Sequence, residues 1–436
     1  MKIVHIWLVS LVIKLAVGGF LPFLSDEFYY WVWGQNPSLS YYDHPPMVGW
    51  LFWVSDFLGL HIGQIERWPG IIVSHVSLLF WIKILERRLS GDQIKYWLLL
   101  VLLNPITGFG SLIVTPDAPL LLFWSICIYL FDRATEAPNW KHFSLLGLSM
   151  GLAFCSKYHA VLLVPIFVAA AYQTHRLVSV AKYTPLMAIF GIVGSLPVIA
   201  WNYSNDWVSF LFQFRHGLGG ESWRPSWTLL YLLGQIGLLF PTTIWAARKW
   251  VGRMDPLIKW NALFPLFFFF ITSFKGHVEA NWPIVAYPAF LAIAVRGFSQ
   301  KTFKWTLILW VTLGVLAIAS FWKLPYDSSL RWKLKTQEAY TYESILPVVH
   351  SHAPLYASSF QMASSLSYYS GKSIYKLRGM GRADHFDFLD GSLPTSDVFF
   401  LAIWESNQPP AWTREYKVTV ATRIEPRFVI LKLEKP

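Results

Sequence analysis

Residues 3–46 read IVHIWLVSLVIKLAVGGFLPFLSDEFYYWVWGQNPSLSYYDHPP. The first part, Ile3 to Leu24, is mainly apolar and long enough to cross a bilayer, which takes about 20 such residues. No small-residue cleavage site follows it, so we predict a retained membrane helix rather than a signal peptide. The composition then changes at once to an acidic and aromatic stretch, residues 25–46, which we call the acidic loop.

Similar apolar runs recur along the chain and predict about eleven transmembrane helices. After the first, they lie near residues 68–86, 96–114, 117–132, 142–156, 159–173, 184–201, 228–247, 260–273, 282–296 and 304–322. Only 14% of all residues are charged, against about 25% in soluble domains. The net charge of +11 does not indicate a nucleic-acid partner, because the basic residues are spread over short loops.

Lys and Arg are distributed unevenly between the two sets of alternating loops. Fourteen fall in one set, whereas the other holds Lys157, Arg215, Arg224 and Lys275, with Arg67 at a boundary. Cytoplasmic loops carry the excess of basic residues in membrane proteins. We therefore predict a cytoplasmic N-terminus and, with eleven helices, an extracytoplasmic C-terminus. The acidic loop then faces outward.

The composition changes again near Lys323, where the apolar runs become short and polar residues return. Five strand-like runs and one amphipathic helix follow. We predict a transmembrane module over residues 1–322 and a small soluble α/β domain over residues 323–436 on the outer face.

The acidic loop carries the first candidate site residues. Asp26, Glu27 and Asp43 are its carboxylates, and His44 stands beside the last of them. Aromatic residues surround them, among which Tyr30 and Tyr42 are candidates for substrate contacts. Aromatic faces suit sugar rings, and a carboxylate among them can accept a hydroxyl proton. The alternative is that Asp26 and Glu27 only cap an interfacial helix that the aromatic residues anchor.

The other outward loops supply further candidates. Asp117 heads the fourth helix, where it serves either as a substrate ligand or as a helix charge favoured by the macrodipole. A phosphate leaving group needs neutralising charge and fixed hydrogen-bond donors, which basic residues in these loops can supply. The alternative is that these basic residues bind anionic lipid headgroups. The candidates for this end of the site are Arg215, Arg224, Lys275 and His277, and Lys157, Glu279 and Asn281 are further candidates for substrate binding.

Several common catalytic motifs are missing from the sequence. It contains no Walker A motif, no GxGxxG after a strand, no HExxH and no metal-spaced Cys/His cluster. We expect no required cofactor and assign no metal ligand, although a divalent metal at the carboxylates is left open. Activated substrate must then arrive by another route, and a sugar on a polyprenyl phosphate would fit.

Two segments resemble a known family. DEFYYWVWGQNPSLSYYDHPP at 26–46 and TPDAPLLLFW at 115–124 are similar to the bacterial relatives of the dolichyl-phosphate-mannose protein mannosyltransferases (family 39), which include the aminoarabinose transferases. The resemblance implies a GT-C fold, a polyprenyl-phosphate sugar as donor and an outward active site in which Asp26 is the catalytic carboxylate. The aminoarabinose transferases have a Glu-Lys pair where this chain has Asp43-His44, so their substrate is not carried over.

We therefore expect an inverting glycosyltransferase of the bacterial inner membrane. Its acceptor would be an envelope glycolipid or glycan, such as lipid A or core oligosaccharide. Membrane lipids would surround its helices. Two alternatives stay open at this stage: transfer to a protein hydroxyl, and a noncatalytic transporter or flippase of lipid-linked sugars.

Overall fold

A computed structural model of the chain describes residues 2–218, 222–425 and 427–436, without the side chains of residues 215–218. The chain is mainly helical up to residue 319 and forms a β-sheet after residue 354. The helices are α1 (Ile3–Phe20), α2 (Ser25–Gln35), α3 (Met47–Phe57), α4 (Trp68–Leu85), α5 (Gly91–Leu103), α6 (Asp117–Glu136), α7 (Trp140–Ser156), α8 (Leu163–Gln173), α9 (Leu177–Ser204), α10 (Val208–Leu218), α11 (Pro225–Leu239), α12 (Pro241–Ala247), α13 (Pro256–Thr272), α14 (Tyr287–Ala294), α15 (Gln300–Ala319) and α16 (Phe360–Ser370).

Each of the predicted apolar runs lies on a helix or on a series of short helices. Among the described residues, five helices are long and apolar enough to cross a membrane: α1, α4 with the turn before it, α6, α9 and α15. The pair α11 and α12 is a sixth if the 80° bend between them lies within one span. The other runs are shorter, so the count of eleven spans stays a prediction.

Helices α7 and α9 pack closely because glycines lie between them. A Cβ atom on Gly147 would lie 2.3 Å from the carbonyl oxygen of Met187, and one on Gly151 would lie 2.3 Å from that of Gly191. Small residues at four-residue spacing let the backbones of membrane helices approach each other. These contacts are with backbone atoms, which cannot move aside as a flexible side chain can.

Loops that the sequence assigns to one side of the membrane meet at one end of the bundle. Arg88, after α4, pairs with Asp132 of α6 at 2.5 Å and with Asp255, before α13, at 3.4 Å. Arg296, after α14, donates to the backbone carbonyl of Arg88. These contacts agree with the predicted alternation of loops. Which side faces the cytoplasm stays a prediction.

The C-terminal region contains a five-stranded sheet in the order β2-β1-β3-β5-β4. The strands are β1 (Leu355–Ala357), β2 (Tyr375–Lys376), β3 (Val398–Trp404), β4 (Lys417–Ile424) and β5 (Phe428–Glu434), each within or beside a predicted run. β1 pairs in parallel with β2 and β3, and β5 pairs antiparallel with β3 and β4. Parallel neighbours need a crossover, which α16 provides between β1 and β2. The division of the chain at residue 322 stays a prediction.

The C-terminal region packs directly on the acidic loop. Phe28 and Trp33 of α2 share one hydrophobic cluster with Met362 of α16, with Phe386 and with Ile430 of β5. Residues 25–35 form the helix α2, as the alternative interpretation of the acidic loop expected, and Glu27 caps its start by accepting the backbone N–H of Leu24. This shared core brings the two ends of the chain together.

Candidate active site

A cavity of about 310 Å³ lies between the acidic loop, the membrane helices and the C-terminal region. Six predicted site residues line it: Asp26, Tyr30, Asp43, His44, Lys157 and Glu279. Aromatic side chains form much of its remaining wall, namely Tyr29, Tyr158, Phe212, Trp282 and Phe360. The structure therefore assembles carboxylates, basic groups and ring faces from both ends of the chain.

The two adjacent acids of α2 have different surroundings. Glu27 is fully buried and bonds Arg67 in a bidentate manner, with its Oε1 2.6 Å from Nε and its Oε2 2.5 Å from Nη2. It also accepts the backbone N–H of Val114 at 2.9 Å. Glu27 was predicted with Asp26 as a catalytic residue, but it is not among the residues that line the cavity. Both of its oxygens are engaged in holding α2 against the neighbouring segments.

Asp26 lies about 100° around the helix from Glu27, because an α-helix has 3.6 residues per turn. Its side chain is 41% exposed and lines the cavity. Its partner is Lys335 of the C-terminal region, whose Nζ lies 3.4 Å from Oδ2. Partial burial alone would lower the pKa of Lys335, but the charges of Asp26 and Glu338 outweigh it and raise that pKa. Asp26 thus has an accessible carboxylate beside a stable cation.

Asp43 is held by groups from both ends of the chain. Its Oδ2 accepts the hydroxyl of Tyr29 at 2.6 Å, and its Oδ1 lies 2.7 Å from Nη1 of Arg382. The Tyr29 oxygen in turn accepts the backbone N–H of His385 at 2.7 Å. Burial and the nearby charge of Asp43 raise the pKa of Tyr29 well above its usual value, so Tyr29 stays a donor to Asp43.

Asp117 joins two other predicted residues into one buried group. Its Oδ1 lies 2.7 Å from Nζ of Lys157, and its Oδ2 accepts Nδ2 of Asn281 at 2.5 Å. Lys157 lines the cavity, whereas Asp117 and Asn281 stand behind it. The sequence suggested these three residues separately, and the structure brings them together.

His44 and Tyr30 lie among these charges. Burial, followed by the charge of Lys157, lowers the pKa of His44 to about 3, so its imidazole is neutral at physiological pH. Burial raises the pKa of Tyr30, and the charges of Asp26 and Asp43 add to that rise. The acidic loop therefore presents neutral hydrogen-bonding rings and carboxylates to the cavity.

The other predicted site residues do not line the cavity. Tyr42 stacks on Phe388 at 5.3 Å, Arg224 lies 5.3 Å from the ring of Trp227, Lys275 is exposed, and His277 is 3.6 Å from Glu279. The side chain of Arg215 lies outside the described residues. The predicted phosphate-binding role of Arg224 and Lys275 is therefore not supported by their positions.

Arg382 is the charged cavity residue that the sequence analysis missed. It follows Asp43 by 339 residues, and no local spacing connects the two. Among the described residues, no group of three His, Cys, Asp or Glu side chains is arranged to hold a metal ion. Independence from a cofactor stays a prediction.

The chain is similar to a known protein family and to a solved structure. Residues 43–201 match the family described as dolichyl-phosphate-mannose-protein mannosyltransferase. The fold is similar to that of ArnT from Cupriavidus metallidurans, with TM-scores of 0.67 for its apo state and 0.64 for its complex with undecaprenyl phosphate. Both likenesses cover 98% of this chain and 97% of that one, at 14% and 15% identity respectively. The chain has a GT-C fold.

Two relatives by sequence are named as glycosyltransferases. The chain is 26% identical over 323 residues to the lipid A galacturonosyltransferase RgtD of Rhizobium johnstonii, covering 68% of this chain and 64% of that protein. It is 23% identical over 270 residues to an undecaprenyl phosphate-alpha-4-amino-4-deoxy-L-arabinose arabinosyl transferase of Yersinia pestis, covering 56% and 48%. The chain thus matches less than two thirds of the length of these relatives. The resemblance inferred from residues 26–46 and 115–124 is confirmed, and the chain is a polytopic helical membrane protein.

Proposed function

We propose that this protein is an integral-membrane glycosyltransferase of the bacterial inner membrane. It transfers a sugar from a polyprenyl-phosphate donor to an envelope glycolipid or glycan, such as lipid A or core oligosaccharide. The observation that carries the proposal is the accessible carboxylate of Asp26 in an aromatic-walled cavity of a GT-C fold. The names of the relatives, a lipid A galacturonosyltransferase and an undecaprenyl phosphate aminoarabinose arabinosyl transferase, support this substrate class.

The proposed chemistry is a single inverting displacement. The sugar lies against the rings of the cavity, and Asp26 accepts the proton of an acceptor hydroxyl. The hydroxyl oxygen attacks the anomeric carbon, the bond from that carbon to the phosphate oxygen breaks, and polyprenyl phosphate leaves. An acceptor phosphate is already ionised and needs no base, in which case Asp26 orients the acceptor or stabilises positive charge on the sugar ring.

The remaining candidates hold the cavity in shape in this proposal. Asp117 and Asn281 orient Lys157, while Asp43 joins the acidic loop to the C-terminal region. Glu27 stabilises the start of α2 and takes no part in the chemistry. We infer the eleven-span topology, with an extracytoplasmic C-terminal domain over residues 323–436, because the outward loops and that region meet at one cavity.

The position of the polar groups favours a transferase over a transporter. Transporters commonly place their substrate sites near the midplane of the membrane, on paired broken helices. Here the charged groups that line the cavity come from predicted outward loops and from the C-terminal region. Lys14, within α1, donates to Ser111 at 2.6 Å and so has a partner between helices. Transfer to a protein hydroxyl would use the same cavity and differs only in the acceptor.

Release of undecaprenyl phosphate from undecaprenyl-phosphate sugars tests the proposal. The purified protein is reconstituted in nanodiscs with each donor, with and without lipid A. Asp26→Asn should lower the rate by about 10²–10⁴-fold, the usual effect of losing a general base. Asp56→Asn is the matched control, since Asp56 is an exposed carboxylate of α3 that pairs with His61 away from the cavity. Near-normal turnover by Asp26→Asn would show that Asp26 is not the general base. If the parent protein releases no undecaprenyl phosphate from any donor, the proposed function is refuted.

A further inference from the structure

Among the described residues that line the cavity, two are Lys or Arg, namely Lys157 and Arg382. Lys157 is only 8% exposed, and its ammonium is bound to Asp117. His44 adds no cation, because burial keeps it neutral. The side chain of Arg382, in contrast, is 50% exposed. Arg382 is therefore the more accessible cation of the cavity.

Arg382 retains unused donors in this arrangement. Its hydrogen bonds within the described part of the chain, to Asp43 and to the carbonyl of Ala383, both use Nη1. A guanidinium has five N–H donors in a fixed fork, so Nε and Nη2 together keep three. The group also lies over the rings of Phe360, at 5.2 Å, and Phe212, at 5.6 Å. Such a flanked, partly exposed fork suits a phosphate, which it can bind through two parallel hydrogen bonds.

A buried ion cluster holds the loop that carries Arg382. Lys376 is 1% exposed, and its Nζ lies 2.7 Å from carboxylate oxygens of both Asp384 and Asp387. The same ammonium donates to the carbonyl oxygen of Arg382 at 2.9 Å. Gly381 has a φ of +61°, a conformation that favours glycine, and this turn leads directly into Arg382. The backbone of Arg382 is thus held before any ligand binds.

We propose that Arg382 binds the phosphate of the lipid-linked donor, and that the Lys376 cluster positions it for this role. This inference rests on the proposed function and adds the residue that neutralises the leaving group. The phosphodiester gains negative charge as its bond to the sugar breaks, so a fixed cation stabilises the transition state more than the ground state. The C-terminal region therefore supplies part of the donor site.

Binding of undecaprenyl phosphate tests this assignment without requiring turnover. We expect Arg382→Gln to raise the Kd for undecaprenyl phosphate in detergent by about 10- to 100-fold, as for a lost hydrogen bond to a charged group. Affinity for undecaprenol, which lacks the phosphate, should not change. Arg382→Lys should recover part of the loss because it keeps the charge. Arg423→Gln is the matched control, since Arg423 is an exposed residue of β4 that pairs with Glu405.

A double variant tests the positioning role. Lys376→Gln with Asp384→Asn removes one positive and one negative charge, so the cluster keeps its net charge and Arg382 itself is not substituted. We expect weaker binding of undecaprenyl phosphate with unchanged binding of undecaprenol, and unchanged phosphate binding would overturn the positioning role. If Arg382→Gln binds the phosphate as tightly as the parent protein, the assignment of Arg382 is wrong while the proposed function stands. If the parent itself neither binds undecaprenyl phosphate nor releases it from a donor, the proposed function fails first.

Discussion

Asp26 and Glu27 are adjacent acids for which we predict different roles, Glu27 in stability and Asp26 in catalysis. Replacing each by its amide tests these two roles separately. Glu27→Gln removes the negative charge opposite Arg67, whereas Asp26→Asn removes a charge that faces the cavity. Both substitutions preserve side-chain length and the helical position. We expect Glu27→Gln to destabilise the protein, and Asp26→Asn to reduce transfer without doing so.

The expected size of the Glu27 effect follows from its contacts. Both side chains of the Glu27–Arg67 pair are fully buried, and Arg67 also donates to the carbonyl oxygens of Gly18, Leu21 and Pro22. Those carbonyls are neutral and cannot balance the charge of the guanidinium. Breaking a buried ion pair by removing one partner typically costs about 3–5 kcal/mol. We expect a loss of that order in the free energy of unfolding.

The measurement is unfolding of the purified protein in a mild detergent, followed by tryptophan fluorescence in a denaturant series. The parent and the two variants are compared at the same pH and detergent concentration. Turnover of each variant is measured well below its own unfolding midpoint. If Glu27→Gln unfolds like the parent, the buried pair is not a stabilising contact. If it is equally stable but inactive, Glu27 belongs to the catalytic machinery and its structural assignment is wrong.

Two further predictions concern pH and helix packing. Burial lowers the pKa of His385 from 6.5 to about 4, so the folded protein holds it neutral, and this residue contributes a loss of stability of about 1.4 kcal/mol per pH unit as the pH falls from about 6.5 to 4. The free energy of unfolding of His385→Gln should therefore depend less steeply on pH than that of the parent protein, by that amount. If the two proteins show parallel pH profiles, the prediction is wrong. Gly151→Ala should cost about 1–3 kcal/mol, because its new methyl group would meet the backbone of α9. Gly237→Ala, whose new Cβ atom meets no other segment of the described chain within 4 Å, should be nearly neutral in the same assay. Equal effects of the two substitutions would argue against the close packing of α7 and α9.

Much of the architecture follows from local properties of the sequence. Apolar runs of membrane length predicted helices that the structure contains, and alternating residues after position 353 predicted the strands. Hydropathy and side-chain periodicity act over a few neighbouring residues, so they can be read without knowing the packing. The helical state of residues 25–35 was expected only under the alternative in which Asp26 and Glu27 cap an interfacial helix, and the structure assigns that cap to Glu27.

The residues of the cavity were only partly accessible to such reasoning. Asp26, Asp43 and His44 were predicted because they are polar, close in sequence and surrounded by aromatic residues. Arg224 and Lys275 were chosen by charge and predicted loop alone, and the structure leaves them out of the cavity lining. Charge along the sequence does not specify which side chain points to a common cavity, since that depends on how the loops fold over each other.

By itself the sequence determined that this is a helical membrane protein with a carboxylate-rich, aromatic loop after its first helix, because hydropathy and composition are properties of consecutive residues. Only the tertiary structure decided which carboxylate reaches the cavity. Glu27 meets Arg67 40 residues away and Val114 87 residues away, and those contacts bury it while Asp26 stays accessible. The same holds for Arg382, which joins Asp43 across 339 residues. Packing of the C-terminal region on the acidic loop creates that contact, and no spacing within the chain encodes it.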